Sequence, residues 1–151
     1  MTMDDLDRVD RNIIAALGRD GRLSMADLAE KVGLSKTPVQ ARVRRLERDG
    51  FIKGYQAVID RAKMGEGHIA FVQVKLSDTT SAALDAFNKA ALAVREIEQC
   101  HMMAASFDYL LKVRTTDIAA YRRALGEKIA ALPHVAQTST FVVMETVRDR
   151  A

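Results

Sequence analysis

The chain has 151 residues, of which 48% are hydrophobic and 28% charged, a composition that indicates a folded globular protein and excludes a disordered tail. Cys100 is the one cysteine, so no intramolecular disulfide can form and a reducing compartment is expected. The apolar runs are shorter than the roughly 20 residues of a membrane-spanning helix, and the acidic start, residues 1–5, is unlike a signal peptide. We therefore expect a cytoplasmic protein with no membrane partner.

The net charge of +3 is unevenly distributed along the chain. Residues 36–53 contain six basic and two acidic side chains, a net charge of +4, whereas residues 66–151 contain ten of each sign. A basic stretch attracts a polyanion such as nucleic acid even when the whole molecule is nearly neutral. A solvated helix face has the same pattern, so charge alone leaves both interpretations open.

The first predicted helix has apolar residues at helical spacing from Leu6 to Leu17. Asp4, Asp5 and Asp7 favour the positive end of its dipole. The chain is therefore expected to begin with an amphipathic helix.

A helix-turn-helix unit is predicted next. Ser24 is a suitable N-cap for a short second helix, and Gly33 can adopt the left-handed conformation that ends it. Ser35 can then cap a third helix that ends at Gly50. Two short helices joined by a tight glycine turn are typical of this motif.

The order of elements changes after the third helix. Residues 51–60 alternate around a glycine and predict a small two-stranded wing followed by an outgoing strand. Glycines near residue 65 predict a hinge. We therefore expect a DNA-binding domain at 1–54, a linking strand and hinge at 55–67, and a second domain at 68–151.

The second domain is predicted to have the order βαββαβ, which is the ferredoxin-like arrangement of an α+β fold. Alternating apolar residues predict the strands, and residues of period 3.6 with N-caps at Thr80 or Ser81 and at Asp117 predict the helices. The predicted strands are 68–76, 97–103, 108–114 and 134–147, and the second helix ends before Pro133.

The third helix has an apolar side and a polar side. At 100° per residue, Val39, Val43 and Leu46 share the packing side with Arg42. The opposite side combines arginine and glutamine, which can pair with base edges, with small residues that allow close approach and cations that pair with phosphates. The residues expected at DNA are Ser35, Lys36, Thr37, Gln40, Ala41, Arg44, Arg45 and Arg48 on the helix, and Lys53 on the wing.

Both halves of the chain resemble the Lrp/AsnC (feast/famine) family of transcriptional regulators. In the first half the resemblance rests on Asp27-Leu28-Ala29, on Val32-Gly33-Leu34-Ser35 and on residues 39–52. In the second half it rests on residues 98–101, 107–114 and 132–135. The resemblance implies a winged helix-turn-helix domain and an ACT-like (RAM) domain. It also implies a homodimer that binds a palindromic operator in double-stranded DNA and assembles further, with an octamer expected.

The resemblance further implies an amino-acid effector bound between C-terminal domains of neighbouring dimers. The family pattern of glycine, acidic residue, aromatic residue and Asp-Tyr corresponds here to Ala105-Ser106-Phe107-Asp108-Tyr109, which departs from it at the first two positions. Asp108 can accept the effector's ammonium group, and Thr138 and Thr140 can supply hydroxyls. The same residues can instead be a turn cap and good strand formers. Among relatives, regulators that respond to leucine or control proline degradation look most similar.

Other classes of function have weaker support in the sequence. Cys100 and His101 are adjacent on a strand and so point to opposite faces, which disfavours a metal site. Gly65 and Gly67 lack the context of a nucleotide-binding loop, and no nucleophile is paired with a base, so we expect neither a cofactor nor an enzyme. An architectural DNA-binding protein without an effector remains the alternative, followed by an enzyme subunit built on the second domain.

Overall fold

The computed structural model describes residues 6–149 of the chain. The chain divides into two compact units between Val58 and Ile59, and each unit has its own buried core. The roles predicted for Asp4 and Asp5 lie outside the described residues.

The first unit contains the three predicted helices: α1 (Arg8–Arg19), α2 (Met25–Val32) and α3 (Lys36–Arg48). Their apolar faces meet at a core that includes Ile13, Leu28, Val39 and Leu46, all fully buried. Asp7 caps α1, and Ser24 caps α2 by accepting from the amide of Asp27. Gly33 ends α2 with φ of 72°, so the glycine turn of the predicted helix-turn-helix is confirmed.

The predicted two-stranded wing is not present. Residues 53–60 form neither helix nor strand, although Tyr55, Val58 and Ile59 present exposed apolar surface. A strand needs a neighbour to satisfy its amide and carbonyl groups, and this stretch has no ladder within its own chain. Tyr55 instead bends back toward α3, where its hydroxyl donates to a carboxylate oxygen of Glu47 at 2.8 Å. Burial, followed by that carboxylate, raises the pKa of Tyr55 to about 12.

The second unit confirms the predicted βαββαβ order. The element bounds are β1 His68–Leu76, α4 Ser81–Ala91, β2 Ile97–Met102, β3 Tyr109–Thr115, α5 Ile118–Ala124 and β4 Val135–Val142. The strands form a four-stranded antiparallel sheet with the order β2, β3, β1, β4. The helix α5 continues into a π-helical segment, Leu125–Ile129.

One face of the sheet packs on the helices. Val72, Val74, Leu111 and Val113 are fully buried there. The last strand ends at Val142, five residues before the predicted end. Ile118, the first residue of α5, is exposed.

The other face of the sheet carries apolar side chains without a covering layer of helices. Phe71 lies directly opposite Phe141 in the register of β1 and β4, and Phe141 is 54% exposed. Leu110 shares this face, because it pairs with Gln73 of β1, two residues from Phe71. An exposed apolar face of this kind is typical of a protein interface.

Candidate nucleic-acid interface

The helix α3 is anchored by its apolar side and exposes its polar side. Val39, Val43 and Leu46 are buried, as the sequence predicts. The exposed residues on the opposite side include small, polar and cationic groups, which permit close approach to DNA and pairing with bases and phosphates. The candidate DNA residues of α3 that are exposed are Lys36, Thr37, Ala41, Arg44 and Arg48, and Gln40 is half-buried.

The start of α3 is suited to a phosphate. Ser35 has the extended backbone of an N-cap, but its side chain does not cap the helix. The hydroxyl of Ser35 and the first amides of the helix, at Lys36 and Thr37, are therefore left for another acceptor. Because the N-terminal end of a helix dipole is positive, a DNA phosphate fits this position.

Arg45, one of the residues expected at DNA, contacts the first helix instead. Its Nη2 atom lies 2.5 Å from Oδ2 of Asp10 on α1. Its Nε atom is buried without a hydrogen-bond partner among the described residues. The guanidinium of Arg45 is therefore committed to a contact inside the first unit.

Arg42 takes part in the same cluster. Its Nη1 atom lies 2.8 Å from Oδ1 of Asp10 and 2.6 Å from Oδ2 of Asp7. The pKa of Asp7 is lowered, first by the amide of Asp10 and then by the Arg42 guanidinium. Hydrogen bonds from Arg42 to Asp10 and Asp7 in turn raise the pKa of the guanidinium. We call Asp7, Asp10, Arg42 and Arg45 the α1–α3 clamp.

The sequence contains a signal for Asp10 that charge counting missed. Asp10 follows Leu6 by four residues and precedes Ile13 by three, so it lies on the buried stripe of α1. It is only 1% exposed. A carboxylate on an apolar stripe requires a cationic partner, because an unpaired buried charge is very costly.

The remaining basic candidate, Lys53, is exposed just after α3. The segment that carries it is neither helix nor strand, so Lys53 does not lie on a wing strand. Arg48 makes an exposed ion pair with the adjacent Asp49, and such pairs stabilise a protein little and exchange readily with other partners. Lys53 and Arg48 are thus available to phosphates.

In the second unit, Asp108 lies at the end of the sheet beside β1. Its Oδ2 atom accepts from the amide of Leu76 at 2.7 Å, and Nζ of Lys75 lies 3.7 Å away. Ala105 and Ser106 are exposed in the adjoining loop, and Phe107 is half-buried. The Asp108 carboxylate therefore joins the residue before β3 to the end of β1, which is a contact between strands and not a turn cap, and the side chain keeps 17% exposure.

The structure does not bring the hydroxyl of Thr140 to Asp108. Thr138 and Thr140 lie opposite Val74 and Val72, which places both threonines on the helix-covered face. The hydroxyl of Thr140 is hydrogen-bonded to that of Tyr121 on α5. Within one chain the hydroxyl of Thr140 is therefore engaged by Tyr121, and a contact of Thr138 or Thr140 with an effector stays a prediction.

A cleft of about 500 Å³ lies at the opposite end of the sheet, beside α5. Its lining is charged with both signs, and several of these charges pair with one another. Glu66 contacts Arg61 and Arg95, and Glu98 contacts Arg114. We assign no ligand to this cleft.

Among residues 6–149, no three or more His, Cys, Asp or Glu side chains are grouped so that they could hold a metal ion. Within the same range no helix is both long and apolar enough to cross a membrane.

Family models match both units of the chain. The model described as winged helix-turn-helix DNA-binding matches residues 6–53, and the one described as Lrp/AsnC ligand binding domain matches residues 69–151. The chain belongs to the Lrp/AsnC family. Members of this family are DNA-binding transcriptional regulators with a ligand-binding domain, and so is this protein.

Individual relatives agree with the family assignment. The chain is 56% identical to the proline dehydrogenase transcriptional activator of Rhizobium radiobacter, over 97% of this chain and 94% of the relative. It is 46% identical to the leucine-responsive regulatory protein of Klebsiella pneumoniae, over 96% and 88% of the two chains. These relatives are regulators and not enzymes.

The fold also matches a solved structure of a family regulator. A transcriptional regulator from Neisseria meningitidis, solved as a complex with L-methionine, superposes with a TM-score of 0.90 at 26% identity. The match covers 96% of this chain and 94% of the other. The resemblance inferred from the sequence is thus confirmed at the level of the family and the fold.

Proposed function

We propose that this Lrp/AsnC regulator recognises a specific operator through the exposed side of α3. Thr37, Gln40 and Arg44 face the major groove, while Lys36, Arg48 and Lys53 contact phosphates. The observation that carries the proposal is the contrast within α3, whose apolar side is fully buried while its basic and small residues are exposed. A helix held in this way can enter the major groove without losing its packing.

A homodimer supplies the second half of the recognition surface. The apolar sheet face around Phe71 and Phe141 is of the kind that a second copy covers, and two-fold symmetry then presents two α3 helices to a palindromic site. We propose that such dimers assemble further, to an octamer. Because its target is chromosomal DNA, the protein is proposed to act in the cytoplasm.

The C-terminal domain is proposed to bind an amino acid. Support comes from the match to a ligand-binding domain and from the L-methionine bound to the Neisseria regulator. The names of the relatives make leucine and proline the first candidates. Asp108 and the adjoining residues Ala105, Ser106 and Phe107 are the proposed contacts, with Asp108 accepting from the ammonium group, and Thr138 is proposed to join them from a neighbouring chain.

The experiment compares binding of wild type and Arg44→Ala to two duplexes by fluorescence anisotropy. One duplex is the tightest binder selected from a random library with the wild-type protein, and the other is its scrambled version. Loss of a base contact costs about 1–3 kcal/mol, so Arg44→Ala is expected to weaken binding to the selected duplex at least several-fold. Arg122→Ala removes an exposed arginine from α5 and is the control.

Two outcomes contradict the proposal. Unchanged affinity of Arg44→Ala for the selected duplex removes α3 as the reading helix. Equal wild-type affinity for the selected and scrambled duplexes indicates the architectural alternative, in which binding follows charge and shape with little sequence preference.

A further inference from the structure

The basic face of α3 contains less free charge than its sequence suggests. Arg42 and Arg45, two of the six cations in residues 36–53, form ion pairs with Asp7 and Asp10 of α1. The four charges of the α1–α3 clamp sum to zero. The charge that DNA meets therefore comes chiefly from Lys36, Arg44, Arg48 and Lys53.

Asp10 is the centre of this cluster. Its Oδ1 accepts from Arg42, and its Oδ2 accepts from Arg45 and from the backbone amide of Asp7. The amide of Asp10 donates in return to the Asp7 carboxylate at 2.8 Å, which completes the N-terminal capping box of α1. Each carboxylate oxygen of this buried residue is thus occupied.

The arginines cannot leave Asp10 for a phosphate without leaving a charge buried. Asp10 is 1% exposed, whereas the side chains of Arg42 and Arg45 are 29% and 33% exposed. Removing one partner of a buried pair is strongly unfavourable, because the other charge remains desolvated. DNA phosphates, which keep much of their solvation, compete poorly with such a partner.

We propose that Asp10 is a specificity-determining residue that withholds Arg42 and Arg45 from the DNA backbone. This inference rests on the proposed function, in which α3 is the DNA-reading helix. Phosphate contacts raise affinity for every sequence equally, whereas base contacts discriminate among sequences. By neutralising two cations beside the reading face, Asp10 keeps the affinity for arbitrary DNA low and leaves discrimination to the exposed residues.

The first experiment compares two neighbouring arginines in the full-length protein. Arg45→Gln and Arg44→Gln make the same change one position apart, and binding to a random-sequence duplex is measured over a series of salt concentrations. Each phosphate contact contributes about 0.9 to the slope of log K against log salt. The slope of Arg45→Gln is expected to equal that of wild type. If the slope of Arg45→Gln is instead shallower than that of wild type by about 0.9, the contribution of one phosphate contact, the proposal is overturned.

The second experiment removes the clamp carboxylate. Asp10→Asn is expected to steepen the slope on the random duplex by about 1–2, as one or both arginines reach phosphates. The ratio of affinities for selected and random duplexes is expected to fall. In the double variant Asp10→Asn with Arg45→Gln, the slope is expected to be shallower than that of Asp10→Asn by about 0.9, the contribution of one phosphate contact. A folded Asp10→Asn protein with an unchanged slope and ratio contradicts the proposal.

The controls separate this inference from the function on which it depends. Circular dichroism establishes whether Asp10→Asn is folded, and if it is not, the Arg45→Gln comparison in the wild-type background decides. Loss of selected-duplex binding in Arg44→Gln tests α3 as the reading helix, independently of Asp10. The proposed function is therefore tested by Arg44→Gln, whereas the role of Asp10 is tested by Asp10→Asn and Arg45→Gln.

Discussion

Asp10 and Arg45 join the first and third helices through a contact of 2.5 Å between Oδ2 and Nη2, although they are 35 residues apart in the chain. The contact couples the start of α1 to the C-terminal half of α3, at the residue next to the exposed Arg44. The packing of the helix-turn-helix thus depends on a buried carboxylate as well as on its apolar core.

Replacement of Asp10 is expected to destabilise the first unit. Breaking a buried ion pair by removing one partner costs about 3–5 kcal/mol, and the partial exposure of both arginines places Asp10→Asn near the lower end of that range. Urea denaturation measures the loss. Glu30→Gln, at an exposed position on α2, is the matched control and is expected to stay within about 0.5 kcal/mol of wild type. Equal stability of the two variants contradicts the role of the clamp.

Two glycines are expected to respond to alanine in opposite directions. Gly33 has φ of 72°, so Gly33→Ala strains the backbone of the turn before α3 and costs about 1 kcal/mol. Gly18 lies inside α1 with open space around its Cα, so Gly18→Ala stabilises the helix by about 0.5–1 kcal/mol. Denaturation midpoints of the two variants provide the measurement. A stabilising Gly33→Ala disagrees with the left-handed turn.

The exposed sheet face is expected to drive self-association. Burial of a phenylalanine side chain contributes about 1.5–3 kcal/mol, and a two-fold dimer buries Phe141 twice. Phe141→Ser is therefore expected to weaken dimerisation on the order of a hundred-fold, as measured by sedimentation. Leu92→Ser, at an exposed position after α4, is the control. If only the control weakens assembly, the dimer forms through the helices.

Asp108 is expected to contribute charge to an effector site beyond its structural hydrogen bond. An asparagine can still accept from the amide of Leu76, so Asp108→Asn preserves this hydrogen bond while removing the charge that pairs with an ammonium group. A charge-assisted hydrogen bond contributes about 1.5–3 kcal/mol, so affinity for the effector is expected to fall at least ten-fold. Calorimetry with L-leucine, L-proline and L-methionine measures this, with Asp85→Asn, exposed on α4, as the control. Equal affinities for wild type and Asp108→Asn would leave Asp108 with only its structural hydrogen bond to Leu76.

The elements that sequence predicts well here are those with local causes. Apolar periodicity and side-chain caps such as Ser24 and Thr80 produce the helices, and alternation produces the strands whose order is confirmed. The outward side of α3 follows from the same periodicity, because Val39, Val43 and Leu46 determine which side is buried.

The features that sequence reasoning missed depend on distant partners. Arg45 lies on the flank of the α3 wheel, and only the position of Asp10 on another helix decides that it turns inward. The hydroxyl of Thr140 is likewise hydrogen-bonded to that of Tyr121, which lies on α5, 19 residues earlier in the chain. The wing strand is absent because a strand forms only where a neighbour completes its hydrogen bonds.

Base reading by α3 is tested most directly by a double-mutant cycle that combines a substitution at Arg44 with a modification of the DNA bases. Each guanine of the selected duplex is replaced in turn by 7-deazaguanine, which lacks the N7 acceptor in the major groove, and binding is measured for wild type and Arg44→Gln. We predict that wild type loses about 1–3 kcal/mol at one or more guanines and that Arg44→Gln loses nothing further at those positions. The same loss in both proteins, or no loss in either, contradicts guanine recognition by Arg44.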